Sequence, residues 1–136
     1  MSTTIVIGVT SQATALAACA RALELARATD ANVHLVYAID EHDPHAESTA
    51  RRHADGLLES LALSSSLPMT VHTVIGHAAD AILQVAATTQ ADVIVIGNKG
   101  LTRHGRFTRE TPAQVLRKAT CSVLVIDTSA ALLPKE

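Results

Sequence analysis

Residues 97–110, GNKGLTRHGRFTRE, bring together group types that bind phosphate. The segment holds three glycines, one lysine and three arginines before its first acid, Glu110. It leads into a predicted helix in which Thr111 caps the N-terminus and Pro112 takes the first helical position. Free amides and the positive end of the helix dipole favour a bound anion. The alternative is a solvated loop whose glycines only form turns, because the spacing is neither G-x-G-x-x-G nor a Walker loop.

Other reactive residues give weaker patterns. His42 and His45 have metal-ligand types at close spacing, but they lie in a polar loop with no second ligand pair, so we expect no metal site. No G-x-S-x-G turn is present, and Cys19 falls on the apolar side of a predicted helix. Cys121 precedes an apolar strand that we expect to be buried, and His104 has no evident carboxylate partner. We therefore expect no catalytic residue and no enzyme activity.

Composition excludes several classes of function. The 136 residues carry 11 Lys+Arg and 13 Asp+Glu, a formal charge of −2, and Tyr37 and Phe107 are the only aromatic residues. This balance disfavours nucleic-acid binding, which uses basic patches and aromatic stacking. Two cysteines without C-x-x-C spacing and no apolar run near the ~20 residues of a membrane span indicate a cytoplasmic protein that does not enter a membrane.

Apolar periodicity alternates between strand and helix along the chain. β-branched and apolar runs predict strands at 4–9, 32–39, 69–75, 92–96 and 122–126. Helical periodicity appears at 13–28, 46–63 and 78–88, and again after Pro112. Strict alternation predicts an open, doubly wound α/β domain with a five-stranded parallel sheet in the order 3-2-1-4-5 and helices on both faces. We expect one domain over residues 1–127 and a loose tail over 128–136.

The helical periods also predict which side chains are buried. In the first helix the expected inward residues are Leu16, Cys19, Ala20, Leu23 and Ala26. In the helix at 46–63 they are Ala50, Ala54, Leu57 and Leu61, and in the helix at 78–88 they are Ala79, Ile82, Leu83 and Ala86. The sheet is thus expected to be packed by small and aliphatic side chains from each helix.

The predicted strand order also locates a binding site. Ligands of open parallel sheets bind beyond the carboxyl ends of the strands, where the strand order reverses. For the order 3-2-1-4-5 this switch point lies between the first and fourth strands. The loop at 9–12 and the loop at 97–110 therefore meet there, and the phosphate-type segment belongs to the second of them.

Several segments resemble the universal stress protein family over nearly the whole chain. These are residues 95–101 (VIGNKGL), Gly105-Arg106, 112–116 (PAQVL) and 121–126 (CSVLVI), together with the opening strand 5–9 and the stretches 75–76 and 80–82. The resemblance implies an adenine nucleotide alpha hydrolase-like fold and binding of ATP or another adenine nucleotide. It also implies a homodimer formed through the last strand and a role in stress responses rather than catalysis.

The resemblance transfers to the site only in part. Gly97 and Gly100 match the first two glycines of the family's G-2x-G-9x-G-(S/T) motif, and Thr111 matches its hydroxyl residue, but Glu110 stands at the third glycine. If the loop is aligned one residue shorter, Arg109 stands there instead. Thr10 replaces the family's first-strand Asp. The implied site comprises Val9, Thr10, Ser11, Ala38, Gly97, Asn98, Gly100, Arg106, Arg109, Glu110 and Thr111.

These departures lead to two functional hypotheses. In the first, the protein is a regulatory or signalling module whose ATP binding is weakened or altered, because a side chain and a negative charge replace the glycine beside the phosphates. Basic residues of the loop would then favour a smaller anion or a mononucleotide. In the second, a nucleotide-free protein of the same fold acts through its dimer and loop surfaces on an unknown protein partner. Neither hypothesis requires a metal.

Overall fold

The computed structural model describes residues 3–9, 12–39, 44–45, 48, 51–52, 55–56, 59, 69–98 and 110–127. Most of the helix predicted at 46–63 lies outside these residues, although 48, 51–52, 55–56 and 59 are helical. Its inward positions Ala50, Ala54, Leu57 and Leu61 and the predicted tail at 128–136 also lie outside.

The described chain forms a five-stranded sheet whose pairs are all parallel and whose order is β3-β2-β1-β4-β5, as predicted. The strands are β1 (Thr4–Val9), β2 (Asn32–Ile39), β3 (Met69–Ile75), β4 (Val93–Asn98) and β5 (Ser122–Asp127). The helices are α1 (Gln12–Thr29), α2 (Ala78–Thr89) and α3 (Glu110–Lys118). Parallel neighbours need long return connections, and these helices supply three of them.

The central strand β1 is buried on both faces of the sheet. Ile5 and Ile7 pack on the α1 face, and Val6 packs on the opposite face, where α2 and α3 lie. Alternating side chains point to opposite faces of a strand, so a continuous apolar run is needed where helices cover both. The helix packing predicted on both faces is therefore confirmed.

Leu16 and Cys19 lie outside the side chains that the structure describes, and among the described side chains of α1 the buried face differs from the sequence prediction at one position. Leu23 and Ala26 are buried as expected, but Ala20 is exposed and Ala22 is fully buried. Because alanine is small and weakly hydrophobic, periodicity alone does not decide which alanine turns inward. In α2 the predicted positions Ala79, Ile82 and Ala86 are buried, Leu83 is half-buried, and Ala81 and Val85 join them.

Helices α1 and α2 both end in a residue with left-handed backbone conformation. Asp30 and Gln90 each have φ of 54°. The amide of Ala31 donates to the carbonyl of Ala26, and the amide of Ala91 donates to the carbonyl of Ala86. These six-to-one hydrogen bonds are those of the Schellman motif, in which the left-handed position usually holds glycine.

The outer strands β3 and β5 carry the exposed apolar side chains of the described sheet. Ile75 is 54% exposed and Leu124 is 41% exposed. In strand β5, Ser122 and Leu124 are exposed and residues 123, 125 and 126 are half-buried, so the expectation that it is a buried strand is wrong. Its place at the edge leaves part of its surface outside the core.

Within the described part of the chain, none of the helices has the length and apolar character needed to span a bilayer.

Candidate functional site

The switch point of the sheet lies at the carboxyl ends of β1 and β4. Strand β1 has β2 on one side and β4 on the other, and Gly8 aligns with Val36 on β2 and with Ile96 on β4. The connection that follows β1 leads to β2 on one side, whereas the connection that follows β4 leads to β5 on the other side, so the two connections diverge at the carboxyl ends of β1 and β4. In folds of this class such divergence leaves a crevice beyond the strand ends, and ligands bind in it.

Close packing of α2 on β1 depends on Gly8. A Cβ placed at Gly8 would overlap Cδ1 of Ile82 and would lie 3.1 Å from its Cγ1. Gly8 and Ile82 are both buried, so the Ile82 side chain fills the space that a larger residue at position 8 would need. This contact fixes the position of α2 next to the crevice.

The end of β2 forms one side of the crevice. Ala38 is half-buried, aligns with Val74 of β3 and packs against the core on the α2 face. Just beyond, the amide of Gly76 donates to the carbonyl of Ile39 at 2.9 Å, and Gly76 has φ of 139°. This left-handed backbone favours glycine and turns the chain from β3 toward α2.

The end of β4 and the start of α3 form the other side. Gly97 and Asn98 close β4 opposite Ile126 and Asp127. Because β4 and β5 are parallel, α3 must run back from the carboxyl edge, and its first residue, Glu110, lies toward that edge. The first-turn amides of a helix have no intrahelical partner and are available to an anion.

The structure brings six of the residues predicted for the site to this edge of the sheet. They are Val9, Ala38, Gly97, Asn98, Glu110 and Thr111. The other five lie outside the described residues: Thr10, Ser11, Gly100, Arg106 and Arg109. That these residues bind a nucleotide stays a prediction.

The start of α3 differs from the sequence prediction. The helix begins at Glu110, so Thr111 lies inside the first turn and is not its N-cap. Pro112 is buried and also lies in the first turn, where its missing N–H breaks no intrahelical hydrogen bond. The first residue of the helix is therefore Glu110, rather than Pro112 as the sequence predicts.

Sequence reasoning missed a pair of histidines at the β2–β3 edge. Nδ1 of His34 lies 2.9 Å from Nε2 of His72, and their ring centroids are 5.1 Å apart. Burial, and secondarily the neighbouring His72, lower the pKa of His34. The sequence signal for this pair is one histidine within each of two predicted strands, His34 in 32–39 and His72 in 69–75, which are neighbours in the predicted sheet order.

Cys121 has the environment of a structural thiol. It is half-buried against the core on the α2 face, and it lines a cleft of about 480 Å³ with residues that include Leu83, Ile94 and Lys118. Burial, together with nearby Asp92, raises the pKa of the Cys121 thiol. A thiol with a raised pKa is a poor nucleophile, which agrees with a packing role.

No cluster of three or more histidine, cysteine, aspartate or glutamate residues suited to a metal occurs within the described ranges. His42 lies outside them, so the spacing between His42 and His45 is not described. A second cleft, of about 530 Å³, follows β2 and is lined by Pro44, His45, Ser48, Arg51, Arg52 and Asp55. Its basic side chains suit an anion rather than a metal cation.

Curated relatives match part of the chain. A universal stress protein of Mycobacterium tuberculosis strain H37Rv is 39% identical over 57 residues, and its counterpart in strain CDC 1551 matches equally. The match covers 41% of this chain and 39% of each relative. It thus spans about two-fifths of the length of these relatives.

Solved structures match nearly all of the chain. A universal stress protein in complex with cAMP is 27% identical with a TM-score of 0.69, over 93% of this chain and 98% of its own. The universal stress protein UspA from Lactobacillus plantarum is 24% identical with a TM-score of 0.75, over 91% and 97%. A universal stress protein from Archaeoglobus fulgidus in complex with dAMP is 18% identical with a TM-score of 0.71, over 93% and 98%.

A family model also matches most of the chain. The model of the universal stress protein family aligns with residues 1–127, which include every described element from β1 to β5. The fold described above and these comparisons agree, and the chain belongs to the universal stress protein family.

Proposed function

We propose that this protein is a non-catalytic regulatory module that binds an adenine nucleotide at the carboxyl edge between β1 and β4. The observation that carries the proposal is the likeness to a universal stress protein solved in complex with cAMP, at 27% identity over 93% of this chain. The more distant Archaeoglobus fulgidus protein was solved with dAMP, a nucleotide of the same chemical class.

The described geometry supports this placement. Ala38, the penultimate residue of β2, has a small side chain, so its backbone is accessible to a planar base. Gly97, the penultimate residue of β4, has no side chain, and the first-turn amides of α3 lie toward the same edge. A base near β2 and a phosphate near α3 would together span the crevice above β1.

The nucleotide we propose is a mononucleotide or a cyclic nucleotide rather than ATP. In the alignment that matches Gly97, Gly100 and Thr111 to the family motif, Glu110, the first residue of α3, replaces the third glycine of the phosphate loop, and Thr10 replaces the family's Asp. A carboxylate at a phosphate site repels a triphosphate more than a cyclic monophosphate, because the triphosphate carries more negative charge. Arg106 and Arg109 can still contact a smaller phosphate group.

Calorimetric titration with ATP, AMP and cyclic AMP tests the proposal. We expect saturable binding of AMP or cyclic AMP and weaker binding of ATP. In Glu110→Gln the affinity for ATP should rise about 10-fold, which corresponds to about 1.4 kcal/mol, and the affinity for cyclic AMP should rise less. Asp80→Asn is the matched control, because it removes the same charge from the first turn of α2.

A second candidate function is an interaction module without nucleotide. The observation in its favour is the exposure of two large apolar residues on successive elements, Leu116 on α3 at 43% and Leu124 on β5 at 41%. Absence of binding of all three nucleotides at millimolar concentration would favour this function over the first.

We also propose that the protein forms a homodimer through β5. This strand is an edge of the described sheet with Leu124 exposed, and an open apolar edge promotes pairing with another chain. Sedimentation velocity should show a dimer at micromolar concentration, and Leu124→Lys should shift it toward the 14.2 kDa monomer. A wild-type monomer at that concentration would contradict the proposal.

A further inference from the structure

The two histidines of the β2–β3 edge lie on the same face of the sheet. His34 aligns with Thr70, and Val36 aligns with His72, so the histidines are diagonal neighbours on adjacent strands. Val36, two residues after His34, belongs to the core on the α2 face, and therefore His34 points to that face as well. The two rings contact each other on this face, between the outer strand β3 and its neighbour β2.

The backbones that carry the two rings are fixed, and both side chains are partly exposed to solvent. His34 and His72 are half-buried, and each stands on a strand that is hydrogen-bonded to the other. The strand backbones thus hold the two Cα atoms in place, and only the side-chain torsions remain to be set. An arrangement of this kind is pre-organised, so a ligand that bridges the rings loses little conformational entropy on binding.

Nδ1 of His34 and Nε2 of His72 share a single proton. At 2.9 Å they form a hydrogen bond, in which one neutral ring donates and the other accepts. Imidazole nitrogens without a proton are good ligands of transition metals. If the donor ring moves its proton to its other nitrogen, both facing nitrogens become ligands and no proton leaves the protein.

We propose that His34 Nδ1 and His72 Nε2 form a binding site for a divalent transition-metal ion, with water completing the coordination. Two nitrogens at about 2.0–2.1 Å from a metal lie about 2.9 Å apart at a 90° angle and about 3.4 Å apart at a tetrahedral angle. The observed N···N separation of 2.9 Å equals that of two cis nitrogens in square-planar or tetragonal Cu²⁺ and Ni²⁺ complexes, and rotation of the imidazole rings would turn both lone pairs from each other toward the ion. Among these ions Cu²⁺ binds nitrogen ligands most tightly.

The site is separate from the proposed nucleotide site. His34 is the third residue of β2, near the amino edge of the sheet, whereas the nucleotide crevice lies beyond the carboxyl edge. A bound ion would link the outer strand β3 to β2 and would stabilise the folded state by binding it preferentially. The protein can therefore bind a metal ion at this site even if it does not bind a nucleotide.

Copper titration followed by electron paramagnetic resonance tests this site. The matched variants are His34→Gln and His72→Gln, which keep a polar side chain of similar size. The control is His77→Gln, because His77 is exposed and makes no side-chain cap hydrogen bond at the start of α2. The wild type and the control should bind Cu²⁺ with an imidazole-nitrogen signal, and either test variant should bind at least 10-fold more weakly.

A crystal soaked in Cu²⁺ gives a second readout that needs no variant. An anomalous difference peak within bonding distance of both His34 Nδ1 and His72 Nε2 supports the site. The proposal is overturned if no peak appears there, or if folded His34→Gln and His72→Gln proteins both bind Cu²⁺ as tightly as the wild type. If circular dichroism shows that either variant is unfolded, the position of the anomalous peak in the wild-type crystal decides whether the site exists.

Discussion

Substitution of Gly8 by alanine should destabilise the protein more than its single added methyl group suggests. Gly8 lies near the carboxyl end of β1, and the new Cβ would overlap Cδ1 of Ile82. Ile82 is 1% exposed and is enclosed by the core of the α2 face, so it cannot turn away into solvent. Either Ile82 must leave its rotamer or α2 must move from the sheet.

The size of the effect follows from the contact. An added methyl group in a packed core costs about 1–3 kcal/mol. Besides the overlap with Cδ1, the new Cβ would lie 3.1 Å from Cγ1 of Ile82, so rotation of the terminal methyl alone does not relieve the contact. We therefore expect Gly8→Ala to lower the free energy of unfolding by about 2 kcal/mol.

Urea denaturation followed by circular dichroism measures this loss. Gly56→Ala is the matched control, because Gly56 is helical and no heavy atom of the described residues lies within 4 Å of the position that an added Cβ would occupy. The control should gain about 0.5–1 kcal/mol, since alanine favours a helix over glycine. The two glycine substitutions should thus change stability in opposite directions.

A double mutant identifies the cause of the loss. Ile82→Val removes Cδ1 and alone should cost about 0.5–1.5 kcal/mol. In Gly8→Ala/Ile82→Val the overlap with Cδ1 is absent, so the combined loss should be smaller than the sum of the two single losses. Additive losses, or a Gly8→Ala protein as stable as the wild type, would refute the close approach of α2 to β1.

Three further predictions concern backbone conformation and pH. Gly76→Ala should cost about 1–3 kcal/mol of unfolding free energy in urea, because its φ of 139° strains any other residue. Gln90→Gly should raise the thermal midpoint, because it relieves the left-handed backbone at the end of α2; a lower midpoint would contradict this. Since burial lowers the pKa of His34, the unfolded state takes up more protons as pH falls through about 6.5, and stability in metal-free buffer should decline there. His34→Gln should flatten that decline, and an unchanged pH profile in this variant would assign the loss to other groups.

Much of the fold could be predicted from the sequence. The run Thr4–Val9 carries apolar or β-branched side chains at every position except Gly8, and such a run is typical of a central strand covered on both faces. Strict alternation with helices then restricts the topology, and the predicted strand order is confirmed. The position of the crevice follows from that order without knowledge of any side-chain contact.

Features that depend on packing between distant segments could not be predicted in the same way. The contact of His34 with His72 joins residues 38 positions apart, and it depends on the register of two strands. The inward turn of Ala22 instead of Ala20 depends on how α1 rotates against the sheet. The start of α3 at Glu110 shows the usual uncertainty of a helix boundary, which periodicity fixes only to within a turn.

Titration of ¹⁵N-labelled protein with cyclic AMP, followed by amide chemical shifts, directly tests whether a nucleotide binds between β1 and β4. We expect saturable shifts at Gly8, Ala38 and Gly97, which lie at the carboxyl edge, and little change at the amino-edge residues Thr4 and Asn32. Unchanged spectra at millimolar cyclic AMP, or saturable shifts confined to the amino edge, would contradict a nucleotide site between β1 and β4.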